Sequence, residues 1–398
     1  MKTDGLILLK NIFSDSAAAA FRDAVEKNDV SRYAEAYGLL LERDAVSSFA
    51  AYLQNVILLD PNLFARRAVS GSLTEEIEDA YRRDLVILQD FARQTEHYPE
   101  KISGAEQENL PKISYGKDNP LFGKDWSGKQ TLQRLKTFYK ENGYGIFISH
   151  KAFIWTDHGL KQVENTPDIS LSDLKNYETE KRAVEDNVEN FVRSLPYSDM
   201  LLYGDKGTGK SSTIHAVLNK YAEQGLRAVE ITKDQIPEIN KIKETLAKLP
   251  FKFMIFIDDL SLEEHDEKVG SLKASLEGSM NGKSANVMIA ATSNRRHILK
   301  ENFSDRENSV HASDTMEEQL SLSDRFGITV LFASTNKRDY LSIVEQLAKD
   351  RNLRTEAEKL DLLAERWALA KGGRSPRRAK QFIDFAYACE KKNMEIEF

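Results

Sequence analysis

The segment Met200–Thr213, MLLYGDKGTGKSST, carries the clearest structural pattern in this sequence. It contains the pattern G-x-x-x-x-G-K-[ST], begins with a short apolar run and leads into a helix-favouring run, Ser212–Tyr221. A buried strand, a glycine-rich turn and a helix in this order make a phosphate-binding loop, because backbone N–H groups and the positive helix N-terminus then point at one anion. The sequence therefore predicts a site for nucleotide phosphates.

The side chains of this loop have distinct predicted tasks. Lys210 is expected to reach the β- and γ-phosphates, and the Ser211 hydroxyl to complete the coordination shell of Mg²⁺. The predicted nucleotide contacts are Gly204, Asp205, Lys206, Gly207, Thr208, Gly209, Lys210, Ser211 and Ser212.

Composition narrows the class of protein. A chain of 398 residues exceeds one ordinary core, so two or three domains are expected. A net charge of −7 argues against a general nucleic-acid binder and leaves a local basic groove open. The single cysteine, Cys389, suits a reducing cytosol. The apolar run Leu6–Leu9 is too short for a signal peptide, and no run approaches the ~20 apolar residues of a membrane span, so we expect a cytoplasmic protein without a membrane partner.

Periodicity divides the chain into three predicted domains. Residues 1–140 are a mostly helical N-terminal domain that ends in a loop-rich linker and a short helix, Thr131–Asn142. Residues 141–334 are an α/β nucleotide-binding domain, which opens on an extended segment or strand pair at Tyr144–Trp155. Residues 335–398 are a helical lid. Apolar strands that alternate with helices predict a parallel sheet covered on both faces, with ligands beyond the strands' carboxyl ends. The strands that follow the loop are predicted at Leu226–Thr232, Phe251–Asp258, Val287–Ser293 and Ile328–Phe332.

Two of these strands end in polar side chains that suit phosphoryl chemistry. FMIFIDD ends in Asp258, which is expected to hold Mg²⁺ through water, and Asp259, expected to polarise the attacking water as a general base. VMIAATSN ends in Asn294, expected to orient that water, with Thr292 as the alternative. The segment before the loop supplies Leu174 and Tyr177, which are candidates either for covering the base or for ordinary helix packing.

The order of these motifs resembles that of AAA+ ATPases. In that family the second acid is usually Glu. Here it is Asp259, whose side chain is shorter by a methylene, and Glu263 and Glu264 are nearby acids that could compensate. The resemblance implies a P-loop NTPase fold, ATP and Mg²⁺ as ligands, hydrolysis of ATP to ADP and phosphate, and a homo-oligomer in the form of a ring or filament, with a hexamer as one candidate.

The resemblance also gives roles to two arginines. Arg325, in LSLSDRFG before the last strand, matches the finger that reaches a neighbouring subunit's γ-phosphate, and an ion pair with Asp324 is the structural alternative. Arg377, after Pro376 at the start of the last helix, matches the second sensor. Arg374 and Arg378 are alternatives for that sensor, or the three together form a phosphate-binding surface for nucleic acid.

The tetrapeptide Asn336-Lys337-Arg338-Asp339 also matches the guanine-reading motif N-K-x-D of GTPases. A GTPase needs D-x-x-G after its acid-tipped strand, and this chain has Leu-Ser-Leu-Glu after its two acids. Asn336 moreover precedes an amphipathic pattern that predicts a helix, so we interpret it as a helix cap. Adenine is therefore preferred to guanine.

Four segments together narrow the resemblance: IDDLS, LKASLEGS, ATSNRRHIL and LSLSDRFG. They resemble the bacterial AAA+ ATP-binding family catalogued as domain of unknown function eight-fifteen, over about residues 147–398. Three functions remain open: an oligomeric ATPase that remodels or loads an unknown protein or DNA substrate, a nucleotide-gated scaffold with weak hydrolysis, and a DNA-associated loader. Arg295–Arg296 and Arg374–Arg378 motivate the third.

Overall fold

The computed structural model describes residues 3–101, 110–263, 267–277, 285–294, 299–300 and 324–398. The chain separates into two compact units. One consists of Met1–His150 with Lys248–Pro250, and the other of Lys151–Ala247 with Phe251–Phe398. The division into three domains drawn from the sequence stays a prediction.

The first unit is helical, as its periodicity indicated. Its core is rich in aromatic rings, with Phe21 in contact with Tyr33, Phe49 and Phe91. The fully buried carboxylate of Asp84 accepts hydrogen bonds from three successive backbone N–H groups, those of residues 7–9. Its described helices are α1 (Ser16–Lys27), α2 (Val30–Leu41), α3 (Phe49–Leu59), α4 (Leu63–Ser70), α5 (Glu75–Lys101), α6 (Lys129–Asn142) and α7 (Ile146–Ser149).

The second unit contains a seven-stranded sheet of mostly parallel strands. Its strands are β1 (Ala152–Thr156), β2 (Gly159–Gln162), β3 (Met200–Gly204), β4 (Leu226–Ile231), β5 (Lys252–Ile257), β7 (Val287–Ser293) and β9 (Ile328–Phe332), while the two-residue strands β6 (Leu262–Glu263) and β8 (Leu299–Lys300) pair separately. The spatial order is β2-β1-β4-β5-β7-β3-β9, and only the β1–β2 hairpin is antiparallel among the described pairs of this sheet. The parallel sheet predicted from the apolar strands is confirmed.

The extended segment predicted at residues 144–155 is wrong in its first half. Ile146–Ser149 is a short helix between Gly145, which has a positive φ of 58°, and His150. The strand begins at Ala152 and turns back into β2, where mixed polar and apolar residues gave no alternation to predict it.

Helices cover the sheet and form the lid of the second unit. Its described helices are α8 (Glu178–Val192), α9 (Lys210–Tyr221), α10 (Ile239–Leu246), α11 (Glu267–Glu277), α12 (Lys337–Asp350), α13 (Ala357–Ala370) and α14 (Pro376–Lys391). Helices α12–α14 share a core that includes Tyr340, Val344 and Phe382. The side chain of Asn336 accepts from the N–H of Asp339, 2.9 Å away, so this residue caps α12 as predicted.

No helix in the described ranges is both long and apolar enough to cross a membrane.

Gly204, the last residue of β3, lies where a side chain would collide with the backbone of the neighbouring strand β9. Its φ is +134°, and a Cβ there would lie 2.0 Å from the carbonyl oxygen of Phe332 on β9. We expect Gly204→Ala to reduce the free energy of unfolding by about 1–3 kcal/mol, because neighbouring backbone must move. Urea unfolding measures the change. Gly270→Ala in α11 is the control, since a Cβ there meets no atom within 4 Å and an increase of about 0.5–1 kcal/mol is expected. Equal effects of both variants would contradict the steric argument.

Candidate functional site

A cleft of about 700 Å³ opens at the carboxyl ends of the parallel strands. Four parts of the second unit line it: the segment before α8, the glycine-rich loop, the ends of β5 and β7, and the lid. This is the edge of the sheet at which ligands of such folds bind.

The loop between β3 and α9 has the backbone expected of a phosphate cradle. Gly207 and Gly209 have φ values of 81° and 99°, in the left-handed region that glycine adopts without a side-chain clash. The Thr208 hydroxyl donates to the carbonyl of Asp205 at 2.8 Å and braces the turn. The carbonyl of Gly207 accepts from the N–H of Arg377 at 3.1 Å, so the loop is bonded directly to the start of the last lid helix.

Lys210 is buried in the loop that precedes it. Its ammonium donates to the carbonyls of Gly204 and Asp205, each at 2.8 Å, and to the amide oxygen of Asn294 at 3.3 Å. Burial lowers the pKa of Lys210, and the carboxylates of Asp205, Asp259 and Asp258 oppose that shift. The cation is thus held where backbone oxygens and nearby carboxylates meet.

The first acid of the predicted pair is joined to the loop helix. Ser211 donates through its hydroxyl to Oδ1 of Asp258 at 2.6 Å, and Thr292 donates to the same oxygen at 2.5 Å. The two predicted metal-binding residues, Ser211 and Asp258, therefore lie in contact. A hydroxyl and a carboxylate are the hard oxygen donors that Mg²⁺ prefers.

The second acid has an unusual backbone. Asp259 has a φ of 51°, and its N–H donates to the hydroxyl of Thr292 at 3.0 Å. Its carboxylate accepts a hydrogen bond from the side-chain amide of Asn294. Both predicted water-handling side chains thus face the same part of the cleft.

The three lid arginines differ in their surroundings. Arg377 lines the cleft. Arg374 forms two hydrogen bonds of 2.8 Å with the carboxylate of Glu365, and Arg378 donates to Gln381 at 2.9 Å. Among these arginines, Arg377 is the one placed to meet a ligand in the cleft.

The opposite wall of the cleft comes from the segment before α8. Leu174 and Tyr177, the candidates for covering a base, both line it. The Tyr177 hydroxyl donates to the carbonyl of Ala333 after the last strand, and burial raises the pKa of this phenol.

Sequence reasoning missed two interactions of the cleft lining. Lys175 forms an ion pair of 2.7 Å with Asp350 of the lid, and Asn219 on α9 donates to the carbonyls of the cleft segment 167–169. Nothing in the sequence pattern marks these long-range pairs.

Arg325 lies apart from the residues that line this cleft. Its guanidinium pairs with Glu277 at the end of α11, whereas the sequence alternative was Asp324. About 30% of its side chain is exposed.

The predictions on Arg295–Arg296 and on Glu264 fall outside the described residues. The side chain of Glu263 is not described either, although its backbone belongs to β6.

The sheet, the glycine-rich loop, the polar strand ends and the helical lid together define a P-loop NTPase core of the AAA+ class. Residues 148–390 match the family described as "Protein of unknown function (DUF815)". That match spans more than half of the chain, so the chain belongs to this family.

Three solved structures match part of this chain at low sequence identity. The Thermotoga maritima RuvB Holliday junction branch migration motor is 15% identical, with 57% of this chain and 67% of that chain covered and a TM-score of 0.40. The FIGL-1 AAA domain in complex with ADP is 19% identical, with 57% and 75% covered and a TM-score of 0.38. The Aeropyrum pernix ORC1 protein in complex with DNA is 16% identical, with 58% and 63% covered and a TM-score of 0.41. No curated protein matches the sequence significantly.

The left-handed backbone at Asp259 leads to a stability prediction. Asp and Asn tolerate this conformation better than other non-glycine residues. We expect Asp259→Glu to lower the free energy of unfolding by about 1 kcal/mol, and Asp259→Asn to change it by less than about 0.5 kcal/mol. Chemical denaturation of both variants beside the wild type measures this. A Glu variant as stable as the Asn variant would refute the backbone argument.

Proposed function

We propose that this chain is a Mg²⁺-dependent ATPase that works in a homo-oligomer to remodel or load a macromolecular partner. The observation that carries the proposal is the convergence of Lys210, Ser211, Asp258, Asn294 and Arg377 on one cleft. They come from four segments of the sequence, in the order expected of such a site, and the fold brings them to the same edge of the sheet.

The residues present suit ATP and Mg²⁺. The loop combines backbone N–H groups at the start of α9 with a buried ammonium at Lys210, which suits a polyphosphate. The contact between Ser211 and Asp258 brings two hard oxygen donors to one point. The apolar side chains of Leu174, Ile343 and Ile383 line the same cleft and suit a flat base. Bound Mg²⁺ would supply neutralisation of charge on the phosphates.

The proposed chemistry assigns one task to each side chain. Lys210 exchanges its bonds to the loop carbonyls for bonds to phosphate oxygens. Asp259 accepts a proton from water, and Asn294, already hydrogen-bonded to that carboxylate, orients the same water. Arg377, on the lid, stabilises charge on the terminal phosphate and so links the lid to the state of the nucleotide.

A nucleotide-gated scaffold with weak hydrolysis is the second candidate. It is favoured by Asp259, which is a methylene shorter than the usual Glu and whose carboxylate is already hydrogen-bonded to Asn294.

The third candidate, a DNA-associated loader, has less support. Of the lid arginines that motivated it, Arg374 is neutralised by Glu365 and Arg377 belongs to the cleft.

The proposal of a homo-oligomer rests on the position of Arg325. It lies away from the cleft lining of its own chain and is partly exposed, so it would complete the site of a neighbouring copy. Its pairing with Glu277 would orient the guanidinium before assembly.

The central prediction concerns Lys210. Lys210→Ala should abolish ATP turnover and weaken ATP binding at least about tenfold, because a charge-assisted bond to phosphate is lost. Equilibrium titration with a fluorescent ATP analogue and steady-state phosphate release measure the two effects. Lys359→Ala, at an exposed lysine of the lid that does not line the cleft, is the comparison for a general loss of positive charge. Wild-type protein that binds the analogue without measurable turnover, alone or with candidate partners, would favour the scaffold.

A separate prediction tests the shared site. Arg325→Ala should retain ATP binding and lose turnover by about 10³-fold or more, the size of finger effects in related chemistry. An equimolar mixture with Lys210→Ala should recover activity, because the Lys210 variant donates an intact Arg325 to a neighbour that binds ATP. Arg366→Ala, an exposed arginine of the lid, is the control expected to behave as wild type. No recovery in the mixture would place Arg325 in its own chain's site or outside catalysis.

A further inference from the structure

We infer that Thr292 is a positioning residue that holds both acids of the site. The inference rests on the proposed function, since it concerns how Asp258 and Asp259 are presented to the metal and to water. The sequence alone suggested Thr292 as an alternative to Asn294 for orienting the water. The geometry points to a different task.

Thr292 is placed beside the acids by the sheet. In the parallel pairing of β5 with β7, Ile257 lies opposite Ala291, so the next residues, Asp258 and Thr292, follow side by side. Thr292 is 1% exposed. A buried hydroxyl at this point must form hydrogen bonds within the protein.

The Thr292 residue makes three hydrogen bonds to three consecutive residues. Its hydroxyl donates to Oδ1 of Asp258 at 2.5 Å and accepts from the N–H of Asp259 at 3.0 Å. Its carbonyl accepts from the N–H of Leu260 at 2.7 Å. One residue of β7 therefore holds the whole turn that follows β5.

These bonds leave Thr292 no hydroxyl proton for orienting a water. A hydroxyl has a single proton, and here that proton is given to Asp258. The oxygen also accepts from the backbone of Asp259, and although Thr292 borders the cleft, only 1% of it is exposed. We therefore assign it an action through the two acids.

The bond to the Asp259 N–H explains how a strained turn persists. A left-handed, non-glycine residue is retained only where its surroundings hold it. Thr292 bonds the backbone of Asp259, and Asn294, the residue directly after β7, bonds its carboxylate. Both ends of this residue are fixed from β7, which aims the short acid into the cleft.

The test compares variants that differ in the hydroxyl. Thr292→Ser keeps it and Thr292→Ala removes it, while both lose the methyl group, and Thr292→Val removes it at nearly constant shape. Thr329→Val, at an exposed threonine of β9, is the control for the substitution itself. Each protein is titrated with a fluorescent ATP analogue at increasing Mg²⁺ and without it, and phosphate release is then measured.

The inference predicts a split that a general packing defect would not produce. The Ala and Val variants should need about tenfold more Mg²⁺ for half-maximal binding and lose turnover about tenfold or more, the usual effect of removing a partner that orients a metal-binding carboxylate. Their metal-free binding should stay within about twofold of wild type. The Ser and Thr329 variants should resemble wild type throughout.

Three results would overturn the inference. Unchanged Mg²⁺ dependence in the Ala and Val variants would show that the hydroxyl is dispensable. Equal losses in the Ser and Ala variants would assign the effect to the methyl group. Parallel loss of metal-free binding and thermal stability in every hydroxyl-free variant would make Thr292 a packing residue. Wild-type protein that binds no ATP at any Mg²⁺ concentration would instead refute the proposed function, and this inference with it.

Discussion

The parallel register between β5 and β7 is the constraint on which the site depends. Phe256 lies opposite Ala290 and Ile257 opposite Ala291, so the acids that follow one strand meet the polar residues that end the other. Both strands are buried throughout their apolar length, and slipping one of them by a residue would turn its side chains to the opposite face of the sheet. Hydrophobic packing along the strands therefore fixes the positions of charged groups at their ends.

The glycine-rich loop lies at the same edge of the sheet. It follows β3, which pairs with β7 on the side opposite to β5. Strand β3 lies between β7 and β9, and the loop that follows it returns Lys210 towards Asn294 at the end of β7. The ammonium donates to carbonyls of its own loop, and these bonds offset the cost of burying its charge. The hydrogen bond between the Gly207 carbonyl and the Arg377 N–H extends this arrangement to the lid. A change in the conformation of the loop would therefore act directly on the start of the last helix through this hydrogen bond.

Much of this architecture could be predicted because it follows from patterns within short windows. The bounds of β7 and β9 agree with the ranges predicted from apolar runs, and the cap at Asn336 follows from local hydrogen bonding. The interactions that refine the site could not be predicted. The pairing of Arg325 with Glu277 joins residues 48 positions apart, and the choice between water and protein as a hydrogen-bond partner of Thr292 depends on how completely its hydroxyl is buried.

The identity of the second acid shows how backbone conformation and side-chain length are linked. From the sequence, Asp259 looks like a shortened version of the usual Glu, with a carboxylate set back from its water. In the folded chain the same residue occupies a left-handed turn, where a short side chain that can bond locally is favoured and a longer one is not. The turn alters the direction in which the Cβ atom points, so the reach of the carboxylate cannot be judged from side-chain length alone. Its hydrogen bond with Asn294 at the end of β7 places that carboxylate at the cleft in spite of the missing methylene. The departure from Glu is therefore consistent with an acid that is adapted to its backbone.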